Sequence, residues 1–383
     1  MKYIKNFMFV VFYIFVVAVS SLIIVKSFHI GAKKVYAYDY NTTAESMAII
    51  EVNSGRIIAS KDGNKQLPMA SLTKIITAIV AIENNENLDK KLEIPKEAQG
   101  IEGSSIYLRT GEHLSMRELL FGLMLRSGND AATAIAILTS GSVDEFIEKC
   151  NEFCKNIGLE NTNLVTPSGL HDDNHYTTAE DLAKVTAYAL KNDIFAEIVS
   201  TRFKRIDDEL GKAGFRNLKN KNKFLAMMEG ANGVKTGYTK KAGRCFVGSV
   251  YREEDNMQLA CVLLNCGPMF DECRNLCAQA LDEYKLYDLT NISEVKVKIG
   301  NDEISGKIND KLLYPLTKQE YEKLEIQIKP TIDNIGSIKI DEKIGELLIF
   351  VDKNLILCDN IYSLENHDNN ANDSPIEKII KNF

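Results

Sequence analysis

A serine and a lysine three residues apart, Ser71 and Lys74, form the first pair whose types and spacing could do chemistry. The apolar residues around them recur at helical spacing, and they predict a buried helix that begins after Pro68 and ends near Glu83. These residues are Leu72, Ile75, Ile76, Ile79 and Ile82. Residues three apart on a helix share a face, so the two side chains can meet. A partly desolvated lysine amine has a lowered pKa, so it could take the proton of the serine hydroxyl and activate it as a nucleophile.

The same spacing also has a purely structural interpretation, in which Ser71 caps the helix and Lys74 is a surface charge. A second copy of the pattern, Ser293-Glu294-Val295-Lys296, lies in an alternating apolar run that predicts a strand. An odd separation on a strand places two side chains on opposite faces. We therefore assign no chemistry to the second copy, and the first gains weight only from companions elsewhere in the chain.

One companion is Ser127-Gly128-Asn129, the only Ser-x-Asn in the sequence. It falls between an apolar helix that ends at Leu125-Arg126 and another that is predicted from Ala131 to Leu138. A loop between two helices can present a hydroxyl and an amide to a cleft. By itself the run is also a common helix N-cap signal.

A second companion is Lys235-Thr236-Gly237, which is followed by Tyr238-Thr239 and predicts a strand. A strand that carries a cation and a hydroxyl, with a glycine that permits close backbone approach, suits an extended anionic ligand laid along a sheet edge. The alternative interpretation, without a function, is that these residues form a solvent-exposed edge strand.

In the order Ser-x-x-Lys, Ser-x-Asn, Lys-Thr-Gly, the three motifs resemble the active-site set of the penicillin-recognising serine enzymes. The chain is most similar to the low-molecular-mass penicillin-binding proteins that are serine-type D-alanyl-D-alanine carboxypeptidases. The similarity extends to Leu67-Pro68-Met69-Ala70-Ser71, to Thr166-Pro167-Ser168-Gly169-Leu170 and to Gly233 through Thr239.

The resemblance implies a catalytic set of Ser71, Lys74 and Ser127. Ser71 would attack the carbonyl between the two terminal D-alanines of a peptidoglycan stem pentapeptide, with Lys74 as the proton acceptor. Ser127 would relay a proton towards the leaving amine, and Asn129 would complete the polar network. Water would then hydrolyse the acyl-enzyme, whereas β-lactam antibiotics would acylate Ser71 and stay.

The resemblance also implies a substrate-binding set on the predicted strand, namely Lys235, Thr236, Gly237 and Tyr238. Lys235 and Thr236 would hold the terminal carboxylate of the substrate. The backbone N–H groups of Ser71 and Tyr238 would form an oxyanion hole, in which one donor is worth on the order of 3 kcal/mol.

Three other functions remain open at this stage. A class A-like β-lactamase would add a glutamate, and Glu152 to Asn156 offers a Glu-x-x-x-Asn spacing, although it lies inside a predicted helix. A non-catalytic peptidoglycan-binding protein would keep the pocket as a receptor. An endopeptidase that cuts crosslinks between D-alanine and a diamino acid is a near neighbour of the carboxypeptidase.

The elements that must position these residues form a mixed α and β pattern. Strands are predicted first, helices in the middle, and strands with a helix last, so the two ends can share one antiparallel sheet with helices packed on it. The resemblance implies the same β-lactamase-like fold with an inserted helical subdomain, followed by a small all-β domain. The predicted elements are a hairpin of Met47–Val52 and Arg56–Ser60, capping boxes at Ser115, Ser142 and Thr177, a hairpin of Arg244–Tyr251 and Met257–Asn265, and a helix Asp271–Tyr287.

The sequence predicts four regions: a targeting segment at 1–37, the penicillin-binding carboxypeptidase domain at 38–288, a β-rich domain at 289–365 and a polar tail at 366–383. In the third region, short alternating runs predict strands at Val295–Ile299, Leu324–Ile328, Ser337–Ile340 and Glu346–Val351. The tail ends in a possible short amphipathic helix. Arg274, which follows the second hairpin, is a candidate for assisting the carboxylate site.

Composition limits the partners. Five lysines and no acids lie in residues 1–37, so the remainder has 41 basic and 53 acidic residues and a net charge of −12. Such an acidic body does not hold a polyanion by bulk electrostatics, so we expect no nucleic-acid partner. The eight cysteines lack a zinc-type arrangement, and we expect buried thiols, with a Cys245–Cys261 bridge as a minor alternative. Neither a metal nor a cofactor is expected.

The N-terminus predicts export. Two lysines precede an uncharged run of nineteen residues, Phe7 to Val25, which could just cross a bilayer. Val35-Tyr36-Ala37 offers small residues at the spacing that a signal peptidase prefers. We therefore expect a protein at the extracytoplasmic face of the membrane or in the cell wall, with either cleavage near Ala37 or membrane association through the N-terminal segment.

Overall fold

The protein is described by a computed structural model that covers residues 40–212, 214–289, 295–300, 302–309, 311–332 and 337–367. Its described residues form two compact units. The larger unit comprises 40–287 and 313–317, and the smaller unit comprises the described parts of 288–312 and 318–367.

The larger unit alternates strands and helices. Its strands are β1 (Ser46–Glu51), β2 (Ile57–Lys61), β3 (Lys91–Glu93), β4 (His113–Ser115), β5 (Phe203–Asp208), β6 (Gly214–Lys219), β7 (Ala231–Thr239), β8 (Gly243–Arg252), β9 (Met257–Leu264) and β10 (Tyr284–Asp288). Its helices are α1 (Lys74–Glu83), α2 (Met116–Arg126), α3 (Asn129–Ser140), α4 (Val143–Asn156), α5 (Ala179–Leu190), α6 (Asp193–Ser200) and α7 (Met269–Glu283).

A five-stranded antiparallel sheet in the order β2-β1-β9-β8-β7 organises the larger unit. Its strands come from both ends of the unit, as predicted, because the N-terminal hairpin pairs with β9. Strand β7 lies at one edge, so the backbone groups on its outer side are not paired with another strand of this sheet. The strand with the Lys-Thr-Gly motif is thus an edge strand.

Both faces of the sheet are buried because successive strand residues alternate between two cores. In the first core, Ala48 and Ile50 of β1 and Val262 of β9 pack with the apolar faces of α1 to α6. In the second core, Met47 and Ile49 pack with α7. The predicted mixed α and β fold, with an antiparallel sheet flanked by helices, is confirmed.

Local signals identified several element boundaries. Ser115 accepts a hydrogen bond from the Glu118 N–H while the Glu118 side chain accepts from the Ser115 N–H, which is the predicted capping box at the start of α2. The Ser142 hydroxyl caps α4 by accepting from the Glu145 N–H, which is one of the two hydrogen bonds of the predicted capping box. For α5 the capping residue is Thr178 rather than Thr177, so the predicted box was displaced by one residue.

The predicted helix Asp271–Tyr287 was too long at its C-terminal end. The helix α7 ends at Glu283, and β10 follows directly and pairs with a later strand, β13 (Leu313–Thr317). Tyr284 is buried and lies four residues after buried Ala280, so the helical apolar stripe continues into the strand. That continuity explains why periodicity misplaced the boundary.

The smaller unit contains a five-stranded antiparallel sheet in the order β11-β12-β16-β15-β14. The elements are β11 (Val295–Ile299), β12 (Asp302–Lys307), α8 (Lys318–Tyr321), β14 (Leu324–Pro330), β15 (Lys343–Val351) and β16 (Asn354–Ser363). The prediction of a strand at Ser337–Ile340 was wrong, because that segment contributes only an isolated bridge between Ile338 and His367. Strands β12, β13 and β16 were not predicted.

Several predicted features lie outside the described residues. They are the N-terminal segment, Ser293 of the second Ser-x-x-Lys and the end of the polar tail. Within the described part of the chain, none of the helices is long and apolar enough to cross a membrane.

A buried ion pair fixes the loop that precedes β4 to the hairpin of β5 and β6. The guanidinium of Arg216 donates to both carboxylate oxygens of Glu112 at 2.9 and 2.8 Å, and Glu112 is fully buried. The same guanidinium donates to the carbonyl oxygens of Ile106 and Tyr107. Residues 106–112 are thereby held against the hairpin.

We predict that Glu112→Gln lowers the free energy of unfolding by about 3 kcal/mol, because it leaves the buried Arg216 without its main counter-charge. The loss lies at the lower end of the range for broken buried pairs, since Asp208 stays 3.3 Å from the guanidinium. Urea unfolding measures it. The control is Asp89→Asn, which breaks the exposed pair with Arg117 and costs less than about 1 kcal/mol. Equal losses for the two variants would contradict the prediction.

Candidate active site

Ser71 lies in a short 3₁₀ turn, Ala70–Thr73, that leads directly into α1. The prediction that Ser71 and Lys74 share the start of a buried helix is confirmed, although the first turn is 3₁₀ rather than α. Ala70 and Leu72 are buried, whereas Ser71 is only half-buried, so its hydroxyl faces accessible space. Ala70 has a φ of +50°, a left-handed conformation that is unusual for a residue with a side chain.

A glycine makes room for this strained turn. A Cβ atom on Gly169 would lie only 1.9 Å from the carbonyl oxygen of Ala70, and Gly169 has a φ of +80°. The segment Thr166–Leu170, which the sequence marked without assigning a role, therefore packs with its backbone directly against the turn that carries Ser71. Glycine is required at 169 both for space and for its backbone conformation.

Lys74 is fully buried, and its amine lies among three oxygen atoms. Its Nζ is 3.1 Å from Ser71 Oγ, 2.8 Å from Asn129 Oδ1 and 2.5 Å from the carbonyl oxygen of Ser168. Burial lowers the pKa of Lys74 well below its usual value, and the positive charge of Lys235 lowers it further. A buried amine with a lowered pKa that contacts a serine hydroxyl can accept the proton of that hydroxyl.

Ser127 and Asn129 lie at the junction of two helices, as predicted. Ser127 ends α2 in a left-handed conformation, with φ +64° and ψ +33°, and Asn129 begins α3. The Asn129 side chain bridges Lys74 and the loop 102–104, because its amide nitrogen donates to the carbonyl oxygen of Glu102 at 2.6 Å. Ser127 is buried, and its hydroxyl makes no hydrogen bond to the residues that the structure describes.

Asp130 orders the loop 105–108. Its carboxylate accepts hydrogen bonds from the hydroxyl of Ser105 at 2.6 Å and from the N–H groups of Ile106 and Leu108 at 3.1 and 3.0 Å. These bonds fix the loop to the start of α3, immediately after Asn129. The sequence analysis did not identify this role, which depends on backbone groups that carry no sequence signal.

The edge strand β7 places the third motif beside the Ser71 turn. A Cβ atom on Gly237 would lie 3.1 Å from the carbonyl oxygen of Met69, so the strand passes in close backbone contact with the turn. Lys235 is 2% exposed, Thr236 is half-buried, and Tyr238 is 66% exposed. The three motifs, more than fifty residues apart in the chain, thus meet around Ser71.

The ammonium group of Lys235 has no carboxylate partner among the described residues and donates to the carbonyl oxygen of Thr236 at 2.8 Å. Burial lowers the pKa of Lys235 to about 7, and the charge of Lys221 contributes. A buried cation without a counter-ion, next to an unpaired strand edge, is suited to bind an anionic group of a ligand.

Lys221 was not identified from the sequence, although its charge lowers the pKa of both Lys74 and Lys235. Its amine donates to the hydroxyl of Ser104 at 3.0 Å. The residue belongs to none of the three motifs and lies in a loop between β6 and β7. No spacing rule pointed to it.

His175 contacts the turn that carries Ser71 through the side chain of Thr73. Thr73 Oγ1 donates to the carbonyl oxygen of Ala70 at 2.8 Å, and the same hydroxyl lies 2.7 Å from His175 Nε2. The N–H of Val165 donates to His175 Nδ1 at 3.0 Å. One ring nitrogen therefore donates and the other accepts, which requires the neutral imidazole. Burial lowers the pKa of His175 to about 4.

The geometry excludes the candidate role of Arg274 and the glutamate of the β-lactamase alternative. Arg274 lies on α7, which packs on the second core, whereas Ser71 and α1 belong to the first; its side chain pairs with Asp271 on its own helix. Arg274 is thus not placed to assist the carboxylate site. Glu152 lies on α4 and is exposed, so it does not have the position that a water-activating glutamate needs.

The cysteines are free thiols, and Cys245 and Cys261 face different cores, so the minor alternative of a bridge between them is wrong. Three buried thiols, Cys261, Cys273 and Cys277, lie within 4.8 Å of one another and could ligate a soft metal ion. Hydrogen bonds from Cys261 and Cys273 lower the pKa of Cys277 to about 5, whereas the pKa values of Cys261 and Cys273 are raised. The cluster therefore favours one thiolate and two protonated thiols, although a metal bound by all three would need three thiolates.

The sequence matches a known family and known proteins. The family model described as D-alanyl-D-alanine carboxypeptidase, Peptidase_S11, matches residues 32–267. The chain is similar to D-alanyl-D-alanine carboxypeptidase DacF of Bacillus subtilis, with 30% identity over 322 residues that cover 80% of this chain and 81% of that protein. It is similar to DacB2 of Mycobacterium tuberculosis, with 31% identity over 55% of this chain and 71% of that protein.

Among solved structures, penicillin binding protein 5 of Haemophilus influenzae superposes with a TM-score of 0.74. The match covers 86% of this chain and 99% of that chain at 22% sequence identity. At that identity the likeness concerns the fold. It extends over both the mixed α and β unit and the β-rich unit that follows.

We predict that acid destabilises the protein through His175. Its pKa is about 4 when folded, against about 6.5 when unfolded, so the unfolded chain binds the proton first as the pH falls. The contribution of His175 is constant above pH 6.5, and it lowers the free energy of unfolding by about 3 kcal/mol as the pH approaches 4. Urea unfolding at a series of pH values measures this loss.

His175→Gln keeps a donor and an acceptor but cannot titrate, so its stability should change less between pH 6.5 and 4 than that of the parent. His113→Gln, at an exposed position, is the matched control. The prediction is wrong if the parent and His175→Gln lose stability with the same slope.

Proposed function

The chain belongs to the D-alanyl-D-alanine carboxypeptidase family, Peptidase S11, and we propose that it removes the terminal D-alanine of peptidoglycan stem pentapeptides through an acyl-enzyme on Ser71. Membership of this family makes the protein a serine peptidase. Its action on the cell wall outside the cytoplasm and its binding of β-lactams are parts of the proposal. The observation that carries the assignment of residues is the contact of the fully buried Lys74 amine with the half-buried hydroxyl of Ser71.

In the proposed acylation step, Lys74 accepts the proton of Ser71 and the Ser71 oxygen attacks the carbonyl carbon of the penultimate D-alanine. The carbon–nitrogen bond breaks, and the leaving amine of D-alanine takes up a proton that Ser127 relays. Asn129 holds the amine of Lys74 through its side-chain oxygen. The lowered pKa of Lys74 supports this role, since a lysine with an ordinary pKa is protonated at neutral pH.

The substrate is proposed to lie along the free edge of β7. Lys235 and Thr236 bind its terminal carboxylate, which would neutralise the buried ammonium group of Lys235. The N–H groups of Ser71 and Tyr238 stabilise the oxyanion, and the close approach of Gly237 to Met69 supports this pairing. Water then hydrolyses the ester and restores the serine hydroxyl. A β-lactam opens its ring at the same serine and forms a slowly hydrolysed ester.

We also propose the domain limits and the route of export. Residues 1–37 would direct export, 38–288 would form the catalytic domain, 289–365 a β-rich domain, and 366–383 a tail. The division of the described chain near residue 288 supports these limits, although β13 belongs to the larger unit. The lysines before the apolar run Phe7–Val25 support export, with cleavage near Ala37 or membrane association through this segment.

The proposal predicts that Ser71→Ala abolishes both covalent labelling by a fluorescent penicillin and release of D-alanine from a pentapeptide that ends in D-Ala-D-Ala. Lys74→Met should slow acylation by roughly 10²–10⁴-fold, which is the usual contribution of a general base. Ser293→Ala, in the second Ser-x-x-Lys, is the matched control and should keep both activities. Labelling of Ser71→Ala would refute the proposed nucleophile.

A second prediction concerns pH. Because the pKa of Lys235 is about 7, its positive charge is lost as the pH rises above that value, and kcat/KM for the pentapeptide should fall by about tenfold per pH unit. Lys235→Arg keeps its positive charge at all these pH values. Whatever its absolute activity, kcat/KM of this variant should therefore not fall between pH 7 and 9. A parent profile that is flat from pH 7 to 9 would contradict the role of Lys235.

A further inference from the structure

A pocket beside the candidate active site is formed by three segments, each of which is next in sequence to residues of that site. Gln66–Pro68 precedes Ser71, the segment 171–176 follows Ser168 and Gly169, and Lys241 lies just after β7. Its volume is about 200 Å³, which is enough for the end of one amino-acid side chain. None of the three motifs contributes to it, so the proposed reaction leaves its purpose open.

The substrate of the proposed function must pass close to this pocket. With the carboxylate at Lys235 and Thr236 and the reacting carbonyl near the N–H of Tyr238, the peptide runs along β7 towards Thr239. An extended peptide advances about 3.3 Å per residue, so the third residue from its C-terminus lies two steps, or about 7 Å, from the last residue and close to the end of the strand at Thr239. The side chain of that residue can then reach the turn that contains Lys241.

The pocket offers charges of both signs. Asp173 Oδ1 lies 3.4 Å from His171 Nε2, and the Asp173 side chain is 90% exposed. Asp172 uses one carboxylate oxygen to accept from the Asn174 N–H at 2.8 Å, which leaves the other oxygen for a ligand. On the opposite segment, Lys241 is exposed and has no ion pair with a residue that the structure describes. Carboxylates and an amine therefore line the same small pocket.

We propose that this pocket binds the zwitterionic end of a diaminodicarboxylic acid at the third position of the stem peptide, an inference that rests on the proposed function. Such a residue ends in a free amino group and a free carboxylate on one carbon. Asp172 and Asp173 bind the ammonium group, and Lys241 binds the carboxylate. A lysine side chain at the third position has an ammonium group but no carboxylate for Lys241 to bind. Lys241 would also repel that ammonium group.

Three synthetic pentapeptides that end in D-Ala-D-Ala test the assignment. Their third residues are meso-2,6-diaminopimelate, its side-chain carboxamide and L-lysine, and the readout is kcat/KM for release of D-alanine. The parent should prefer the diaminopimelate peptide. Lys241→Met should lower the ratio of the diaminopimelate peptide to the carboxamide peptide by about fivefold, the upper range for a solvent-accessible ion pair. Asp173→Asn should lower kcat/KM for all three peptides.

Lys240→Met is the matched control, because Lys240 is the adjacent exposed lysine and does not line the pocket. It should keep the parent ratio. Thermal unfolding shows whether each variant is folded. If the parent cleaves all three peptides equally, or if both lysine variants change the ratio equally, the pocket assignment is wrong while the carboxypeptidase activity stands. If the parent releases D-alanine from none of them and penicillin does not label Ser71, the proposed function itself is wrong.

Discussion

The structure depends on one buried amine. Lys74 is removed from water without a carboxylate at hydrogen-bonding distance among the described residues, and burial of an ammonium group is costly unless polar atoms replace its hydration. Three oxygens do so, and they come from the helix start, from Asn129 and from the backbone of Ser168. Each belongs to a different part of the larger unit. The local chemistry of one lysine therefore requires that these parts fold together.

The sheet makes this convergence possible. Because β1 pairs with β9 and β7 is left at the edge, the strand with Lys235 lies next to the turn that follows the N-terminal hairpin. The helices α1 to α6 fill one face, and the buried polar side chains Lys74, Ser127 and Asn129 lie on this side of the sheet, at the ends of α1, α2 and α3. The opposite face packs with α7 and holds the cluster of Cys261, Cys273 and Cys277. The candidate catalytic residues thus lie on one side of the sheet, although both faces carry an apolar core.

The sequence predicted the features that are encoded locally. Helical spacing placed Ser71 beside Lys74, a capping box located the start of α2, and turn residues located both hairpins. It could not predict contacts made by backbone atoms of distant loops, such as the carbonyl of Ser168 on Lys74, because a carbonyl has no sequence signature. It also misplaced the end of α7, where one apolar stripe serves a helix and then a strand. It offered Arg274 as a candidate for the carboxylate site because position after a hairpin does not reveal which face of the sheet a helix covers.

The contact of Gly169 with Ala70 also limits how this protein can change over evolutionary time. A side chain at 169 would push the carbonyl of Ala70 away and disturb the turn that presents Ser71. In the proposed mechanism Ser71 reacts both with the natural peptide and with β-lactams, so a change at 169 that disturbs the reaction with the drug also disturbs turnover of the peptide. Adaptive variation has more freedom at the exposed rim, where Tyr238 and Lys241 can be exchanged without moving the backbone beneath the nucleophile.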